Sequence, residues 1–487
     1  MYREEQLKAQ FEGRKILIAG YGREGRSTER LIKSLLPEAD IAIADGSDCI
    51  REESGREEYD MVVKSPGVPM KLMKGDVAKV TSQVDIFLQV YADMVVGITG
   101  TKGKSTTSSL VSHLLPGSIL AGNIGIPLFD IIDNLHEGVT VVAELSCHQL
   151  EVLHRSPHIA VILNFFQEHL DHYRNYDAYK MAKMQIALHQ QAGDHFFYCT
   201  DNEELREMVE AMPVFAGEDA CVPEGDAEGS LAGELHPYSI DDIGGEEREL
   251  IKACPLLGEH NQSNAIVACR VAALVIGGDV ETSRRQDVET SRLQDIETSR
   301  LQDFETSRRQ DVETSRHRDY GGLLETLRSR LASFRGLRHR LELVPGDRRG
   351  IIWYNDSIST IPEATIAAMK ALEPVGTVMT LILGGFDRGI DYMPLVEYLK
   401  EHPVRNLVFV GAAGRRMLDM FSAQSIPLPT HIVEDDYTKI VPWCAKHTHR
   451  RKICLLSPAA ASYDSFRNFE ARGDFYIEQI NNLPGYD

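Results

Sequence analysis

The sequence predicts an α/β protein of three domains, and three observations carry that reading. At 487 residues the chain has material for about three domains of roughly 150 residues each. Short apolar runs alternate with helical stretches in three successive blocks, which implies largely parallel sheets. Glycine-rich turns follow the first strand of the first two blocks, as they do where a helix N-terminus meets phosphate. The expected arrangement is an N-terminal Rossmann-like domain over 1–92, a central P-loop domain with a mainly parallel sheet over 93–335, and a C-terminal Rossmann-like domain over 336–487.

In the first block, the strand Lys15–Ala19 runs into Gly20-Tyr21-Gly22-Arg23-Glu24-Gly25, and Asp45 ends the strand IAIAD twenty residues after Gly25. Small residues let the backbone approach a diphosphate, and the acid can bind a ribose. The pattern alone leaves NAD, another nucleotide or a plain tight turn open. Ser65-Pro66-Gly67-Val68 follows the strand MVVKS as a second strand-end loop, or as an ordinary Pro-Gly turn.

The second block is more specific. The strand Met94–Ile98 leads into Thr99-Gly100-Thr101-Lys102-Gly103-Lys104-Ser105-Thr106, which opens a helix. Backbone N–H groups there can cradle phosphate oxygens, Lys104 can reach the terminal phosphates, and Ser105 can ligate Mg²⁺. Ile98 stands where the strict phosphate-loop pattern has its first glycine, so this is a variant loop, read as ATP-binding against a structural Gly/Lys turn. Glu144 ends the strand VTVVAE, where a carboxylate beside such a loop is a natural Mg²⁺ ligand. His169, in the segment after the strand IAVILN, is either a metal ligand or a histidine satisfied by a polar contact. Lys183 sits in a helical stretch, and composition reads it as solvated.

The third block has strands near Ile351–Tyr354, Val378–Leu383, Leu407–Val410 and Ile453–Leu456. Two segments fall outside this scheme. Residues 201–250 carry 16 acids and two bases, a net of −14, and read as a solvated surface. Five octapeptide copies, from ETSRRQDV to ETSRHRDY, fill 281–320. Eight helical residues turn about 800°, so the apolar position drifts by about 80° per copy and no core-facing stripe forms. They read as an insertion, a loop or an exposed helix rather than a partner-binding arm, after a helix that ends at Gly277-Gly278.

The net charge of −21 argues against a nucleic-acid binder and against docking on an anionic membrane. No apolar run is long enough to span a bilayer. The MYREEQLKAQ start lacks a secretory segment, and the eight cysteines form no C-x-x-C pair. A cytoplasmic enzyme with free thiols is expected.

The motifs GTKGKST, GNIG at 122–125, ELSCHQLE at 144–151, NFFQEHLDHY at 164–173, GEHNQSNA at 258–265, GLRHRLE at 336–342, NDS at 355–357, GGFDRG at 384–389 and LLSPAAASYDSFRNFEARG at 455–473 occur in one order. In that order the chain resembles the Mur ligase family, in particular members that join glutamate to UDP-N-acetylmuramoyl-L-alanine. The resemblance spans nearly the whole chain except the acidic stretch and the repeats.

It implies that Gly20, Gly22, Gly25, Asp45, Ser65, Pro66 and Gly67 contact UDP rather than NAD, with Arg23 and Glu24 within the same turn, and that Asn123 holds the muramoyl part. Gly100, Thr101, Lys102, Gly103, Lys104, Ser105 and Thr106 would bind ATP, with Asn261 and Asn264 near adenine and Asp356 on the ribose side. Two Mg²⁺ ions would be held by Ser105, Glu144, His169 and Lys183, the lysine after carbamylation by CO₂, because an ammonium has no lone pair for a metal. Arg340 would join the γ-phosphate, and Arg388, Ser462 and Phe469 would line the amino-acid site. The implied reaction passes through an acyl phosphate, with Lys104, Glu144, His169, Lys183 and Arg340 as its catalytic set and closure of the C-terminal domain during the cycle. A monomer is expected.

The departures lie in the amino-acid site. After Asn-Asp-Ser the family pattern is Lys-Ala-Thr-Asn, whereas this chain reads Ile358-Ser359-Thr360-Ile361-Pro362, and the family's lysine in GG-x-D-K-G is Arg388. Arginine can still pair a carboxylate, in bidentate fashion. D-glutamate is favoured as the added residue, with L-glutamate as the alternative. A folate polyglutamylating enzyme is disfavoured by ELSCHQLE and SPAAAS. A NAD-dependent dehydrogenase would leave the phosphate loop unexplained, and a non-catalytic paralogue would leave its lysines and acids unused.

Overall fold

Apolar runs of four or five residues become strands whose positions are all buried in the centre of each sheet. The computed structural model describes residues 1–168, 172–214, 230–256, 258–292, 322–345 and 349–484, without the side chains of 278–292. They form two compact units, Met1–Cys254 with Glu259–Phe334, and Pro255–Gly258 with Arg335–Asp487.

The first unit holds two sheets. In the N-terminal one, β1 (Ile16–Ala19), β2 (Ile41–Ala44), β3 (Met61–Lys64) and β4 (Val80–Thr81) lie in the order β2-β1-β3-β4, all parallel. Leu17, Ala19, Tyr59, Val62, Val68 and Leu72 pack its core. The central sheet has six strands: β5 (Val95–Thr99), β6 (Ile119–Gly122), β7 (Val141–Glu144), β8 (Ile159–Ile162), β9 (His195–Cys199) and β10 (Glu234–Tyr238). Their order is β10-β9-β8-β5-β7-β6, again all parallel. Every residue of β5, β7 and β8 is buried, the pattern of strands covered on both faces.

Helix Lys104–Leu114 leaves the end of β5, and helix Glu259–Arg292 packs along it. That second helix does not stop at Gly277-Gly278 as expected. It continues to Arg292, because a glycine costs a helix only about 1 kcal/mol and the Glu, Arg and Gln that follow are good helix formers. The remaining copies of the repeat, from residue 293 to 320, lie outside the described residues, as do 215–229 of the acidic stretch. Helix 322–333 returns to the central body, where Arg330 Nη1 donates to Leu114 O at 2.6 Å and satisfies a carbonyl at the end of helix Lys104–Leu114.

The second unit has one sheet: β11 (Glu342–Val344), β12 (Ile352–Asn355), β13 (Val378–Gly384), β14 (Asn406–Val410), β15 (Thr430–Val433) and β16 (Ile453–Leu456). The order is β11-β12-β16-β13-β14-β15, with β11 antiparallel at the edge and the rest parallel. The sheet is therefore mixed rather than purely parallel. One face packs Leu381, Leu383, Leu407, Phe409 and Leu455, the other Trp353, Ile382, Val408, Ile440 and Tyr476. Among the described residues no helix is long and apolar enough to cross a membrane.

Candidate active site

The site is built where parallel strands end and helices begin. In the N-terminal sheet, Gly20 takes φ +90° after β1, and a Cβ there would lie 2.6 Å from Val68. A Cβ on Gly25 would lie 2.2 Å from the Gly20 carbonyl oxygen, so the helix Arg23–Leu35 can start against the turn only with glycine in place. Ser65 Oγ donates to that same carbonyl at 2.7 Å, which joins the Ser65-Pro66-Gly67 loop to the Gly20–Gly25 turn. Asp45 is exposed and accepts from Tyr21 N at 3.1 Å. Glu24 points inward, where Gln149 Nε2 donates to it at 2.6 Å and burial raises its carboxyl above the usual range. Arg23 donates to Gly125 O at 2.9 Å. Both residues of the turn thus fasten it to the central domain.

In the central domain the phosphate loop needs Gly100 and Gly103 at positive φ, 155° and 89°. A Cβ on Gly103 would lie 2.8 Å from Asn264 Oδ1, so the predicted adenine-side asparagine packs directly on the loop. Asn264 also donates to Asn261 Oδ1 at 3.2 Å. The segment after β8 clamps the other side. Asn164 Oδ1 accepts from Lys102 N at 2.9 Å, Asn164 Nδ2 donates to Lys102 O at 3.1 Å, and Thr101 N donates to Asn164 O at 3.0 Å. Thr101 Oγ1 lies 2.8 Å from the Tyr179 hydroxyl, and Ser105 and Thr106 begin the helix beyond.

Two ammonium groups meet at this loop. Lys104 Nζ donates to Gly100 O at 2.9 Å and Thr101 O at 3.0 Å, and Lys183 Nζ donates to Gly100 O at 2.8 Å. Lys183 is only 1% exposed, which overturns its reading as a solvated lysine, and its Nζ stands 4.9 Å from the centre of the Tyr179 ring. Burial, and then the nearby Lys104 charge, pull its amine down to about 7. A lysine so perturbed is partly neutral, and therefore nucleophilic, at physiological pH.

Glu144, at the end of β7, is 2% exposed. Asn123 Nδ2 donates to its Oε1 at 2.7 Å, while its buried Oε2 has no hydrogen-bond partner among the described residues. An anionic oxygen left unsatisfied in a buried site is costly, and a hard cation relieves that cost. With the Ser105 hydroxyl at the adjacent loop, this oxygen fits a divalent cation with oxygen ligands. His169, the other predicted ligand, lies outside the described residues.

The second unit places its predicted residues around the ends of β12, β13 and β16. Asp356 is buried, accepting from Leu341 N at 3.1 Å and from Ser457 Oγ at 2.7 Å. Burial lifts its carboxyl to about 6. It pins the turn that carries Arg340. Arg388 is exposed and donates to Thr360 O at 2.8 Å, so it reaches the stretch where the family's lysine is missing. Ser462 is buried, and the Phe469 ring stands edge-on to His339 at 6.3 Å.

Arg472 was missed by the sequence reading. Fully buried, it donates to Ser357 Oγ and O at 2.9 and 2.8 Å and to Ala460 O and Ala461 O at 3.1 Å each. It ties the NDS and SPAAAS motifs together. Asn164 was also missed as a site residue. Both stand inside motifs quoted for the resemblance, which was the available signal.

The family model of the Mur ligase middle domain matches residues 98–272. A UDP-N-acetylmuramoyl-L-alanine–L-glutamate ligase of Salinispora tropica is 30% identical, covering 97% of this chain and 98% of its own length. A UDP-N-acetylmuramoylalanine–D-glutamate ligase of Lactiplantibacillus plantarum is 29% identical, covering 98% of each. Among solved structures, MurF from Acinetobacter baumannii superposes with a TM-score of 0.52 at 14% identity, over 98% of both chains; that likeness concerns the fold. Full-length similarity of this kind, on a phosphate loop built as described, shows that the chain belongs to the Mur ligase family.

Proposed function

We propose that this chain is an ATP-dependent acid–amino-acid ligase that joins glutamate, in its D form, to UDP-N-acetylmuramoyl-L-alanine in peptidoglycan precursor synthesis. The observation that carries the reading is the phosphate loop with two lysines at one carbonyl and a buried, half-satisfied Glu144 beside it. The names of the full-length relatives supply the substrates. L-glutamate is the second reading, supported by the Salinispora tropica relative and by Ile358 in place of the family's lysine.

In the proposed mechanism the loop N–H groups and Lys104 hold the ATP phosphates, with Asn261 and Asn264 beside the loop and Asp356 supporting Arg340. Lys104 and Arg340 neutralise charge on the transferring phosphoryl group, which is the larger part of such catalysis. The L-alanyl carboxylate of the substrate attacks the γ-phosphorus, giving an acyl phosphate and ADP. The glutamate amine then attacks the acyl carbon, and phosphate leaves as the amide forms. Gly20, Gly22, Gly25, Asp45 and Ser65–Gly67 hold the UDP moiety, Asn123 the muramoyl part, and Arg388, Ser462 and Phe469 the amino acid. Ser105, Glu144 and His169 would hold Mg²⁺, which supplies charge neutralisation at the phosphates when bound.

Lys183 completes the metal-binding set once carbamylated. Its neutral amine forms a C–N bond to CO₂ and loses a proton, turning a cation into an anion. The support is its burial and its depressed proton affinity.

The test is phosphate release by the purified protein with Mg-ATP and UDP-N-acetylmuramoyl-L-alanine, adding D- and L-glutamate separately. Release with D-glutamate alone is expected. Release with L-glutamate alone would transfer the assignment to the second reading, and silence with both would end it.

A further inference from the structure

At the other edge of the central sheet, three side chains converge that the ligase chemistry does not use. His195 opens β9 and pairs in register with Glu234, the first residue of edge strand β10. His236 lies two residues further along β10, on the same face as Glu234. His195 Nδ1 and His236 Nε2 are 3.0 Å apart; Glu234 Oε2 is 3.6 Å from the first and Glu234 Oε1 3.9 Å from the second. Among the described residues this is the one group of three His, Cys, Asp or Glu side chains whose ligand atoms converge within 4.8 Å.

Two neutral imidazoles 3.0 Å apart can share a single hydrogen bond, with one donating. Their spacing also suits a metal. With bonds of 2.0–2.1 Å, the ligand atoms of a tetrahedral zinc ion lie about 3.3 Å from one another. The three separations here bracket that value, so small side-chain rotations would close the set. The rings are already held. His236 stacks on Phe197 with centroids 4.4 Å apart and planes 16° apart, and His158 stands edge-on to His195 at 5.4 Å. His158 itself is committed to Asp194 at 2.9 Å, so it serves as a wall. Glu234 is two-thirds exposed, which leaves a fourth position open to water.

We propose that His195, Glu234 and His236 form a binding site for a divalent transition cation of the zinc class. Two imidazoles and one carboxylate select Zn²⁺ and its neighbours in the first row over Mg²⁺ and Ca²⁺, which take oxygen ligands. The magnesium that the ligase reaction needs therefore does not compete for it. The site sits at the amino ends of β9 and β10, about 13 Å along a five-residue strand from their carboxyl ends, whereas the phosphate loop follows the carboxyl end of β5, two strands away from β9. Its role is to staple edge strand β10, which among the described residues pairs only with β9, across the long connection between the two.

The test uses full-length, metal-stripped protein titrated with Zn²⁺ by calorimetry in the presence of millimolar Mg²⁺, with Co²⁺ absorption as the geometric probe. The wild type is expected to bind one equivalent more than His236→Ala, and to bind it at least tenfold more tightly than Glu234→Ala. Zn²⁺ should raise the melting temperature of the wild type and not that of His236→Ala, while zinc-free phosphate release stays within twofold in both variants. Glu234 is exposed, so Glu234→Ala keeps the test decisive even where loss of the His236 ring unsettles β10. Unchanged zinc affinity in Glu234→Ala, or equal stoichiometry in the wild type and His236→Ala, would overturn the site.

Discussion

Lys183 shows what a tertiary contact does to a side chain that composition reads as ordinary. Its partner Gly100 is 83 residues away, so nothing in the local sequence announces the burial. Its folded-state proton affinity, about 7, lies below the value near 10.4 of an unfolded lysine. Between those values the unfolded chain binds more protons, so stability rises with pH across that window and is lowest below about 7. In CO₂-free buffer, denaturant titrations of the wild type and Lys183→Met should therefore differ more at pH 7 than at pH 9. A difference independent of pH would show that the amine is not held in a dry site.

Asp356 shifts the opposite way. Burial raises it to about 6, above its unfolded value near 3.9. The favourable protonated state is thus complete below about 4 and is lost as pH rises through 6. Asp356→Asn keeps an acceptor for Leu341 N and leaves Ser457 a partner, so it should melt within a few degrees of the wild type at pH 7.5 and lose the pH slope between 4 and 6. Asp356→Ala removes both contacts and should cost about 1–3 kcal/mol, measured by urea unfolding.

Among the elements, strands and turns were the legible part. Ile453–Leu456 and Val378–Gly384 are largely apolar runs that form buried strands, and Gly20, Gly25, Gly100 and Gly103 of the Gly-rich turns stand where a Cβ would strike a neighbouring side chain or carbonyl. The antiparallel β11 was not legible, because Glu342-Leu343-Val344 is too short to separate from a loop. Neither was the continuation of helix Glu259–Arg292, where the glycine pair suggested a stop that the following helix formers override. The Asn164 clamp depends on a partner 62 residues distant, and Arg472 on one 115 residues distant; only the motif resemblance brought those segments forward.

Two of the three glycines of the first turn, Gly25 and Gly22, separate structural from functional need. Gly25→Ala places a methyl 2.2 Å from backbone and should destabilise the chain by about 1–3 kcal/mol. Among the described residues Gly22, its chain neighbours aside, has no atom within 4 Å of the added carbon, and its φ is an ordinary −74°. Gly22→Ala should therefore fold with an unchanged melting temperature and show at least a fivefold higher KM for the UDP substrate. An unchanged KM would remove that turn from the nucleotide site.

Over the whole molecule, the groups proposed for chemistry gather at the carboxyl ends of parallel strands. Gly20 follows β1, Ser65 follows β3, Gly100 follows β5, Glu144 ends β7 and Asn164 follows β8; in the second unit Asp356 follows β12. Open parallel sheets bind ligands at those ends, because helix N-termini and free strand-end loops converge there.

The hydrogen bond from Asn123 to Glu144, 2.7 Å long, has a thermodynamic consequence. One partner is assigned to the muramoyl substrate and the other to magnesium, so occupancy of either site changes the electrostatics felt by the other. Such coupling is reciprocal: whatever factor magnesium applies to the substrate dissociation constant, the substrate must apply to that of magnesium. Calorimetry at low and high Mg²⁺, with and without UDP-N-acetylmuramoyl-L-alanine, should return the same factor from both directions, and Asn123→Ala should bring both towards one. The order in which the cell supplies the two ligands would then be immaterial, while their joint presence would set how much enzyme stands ready to react.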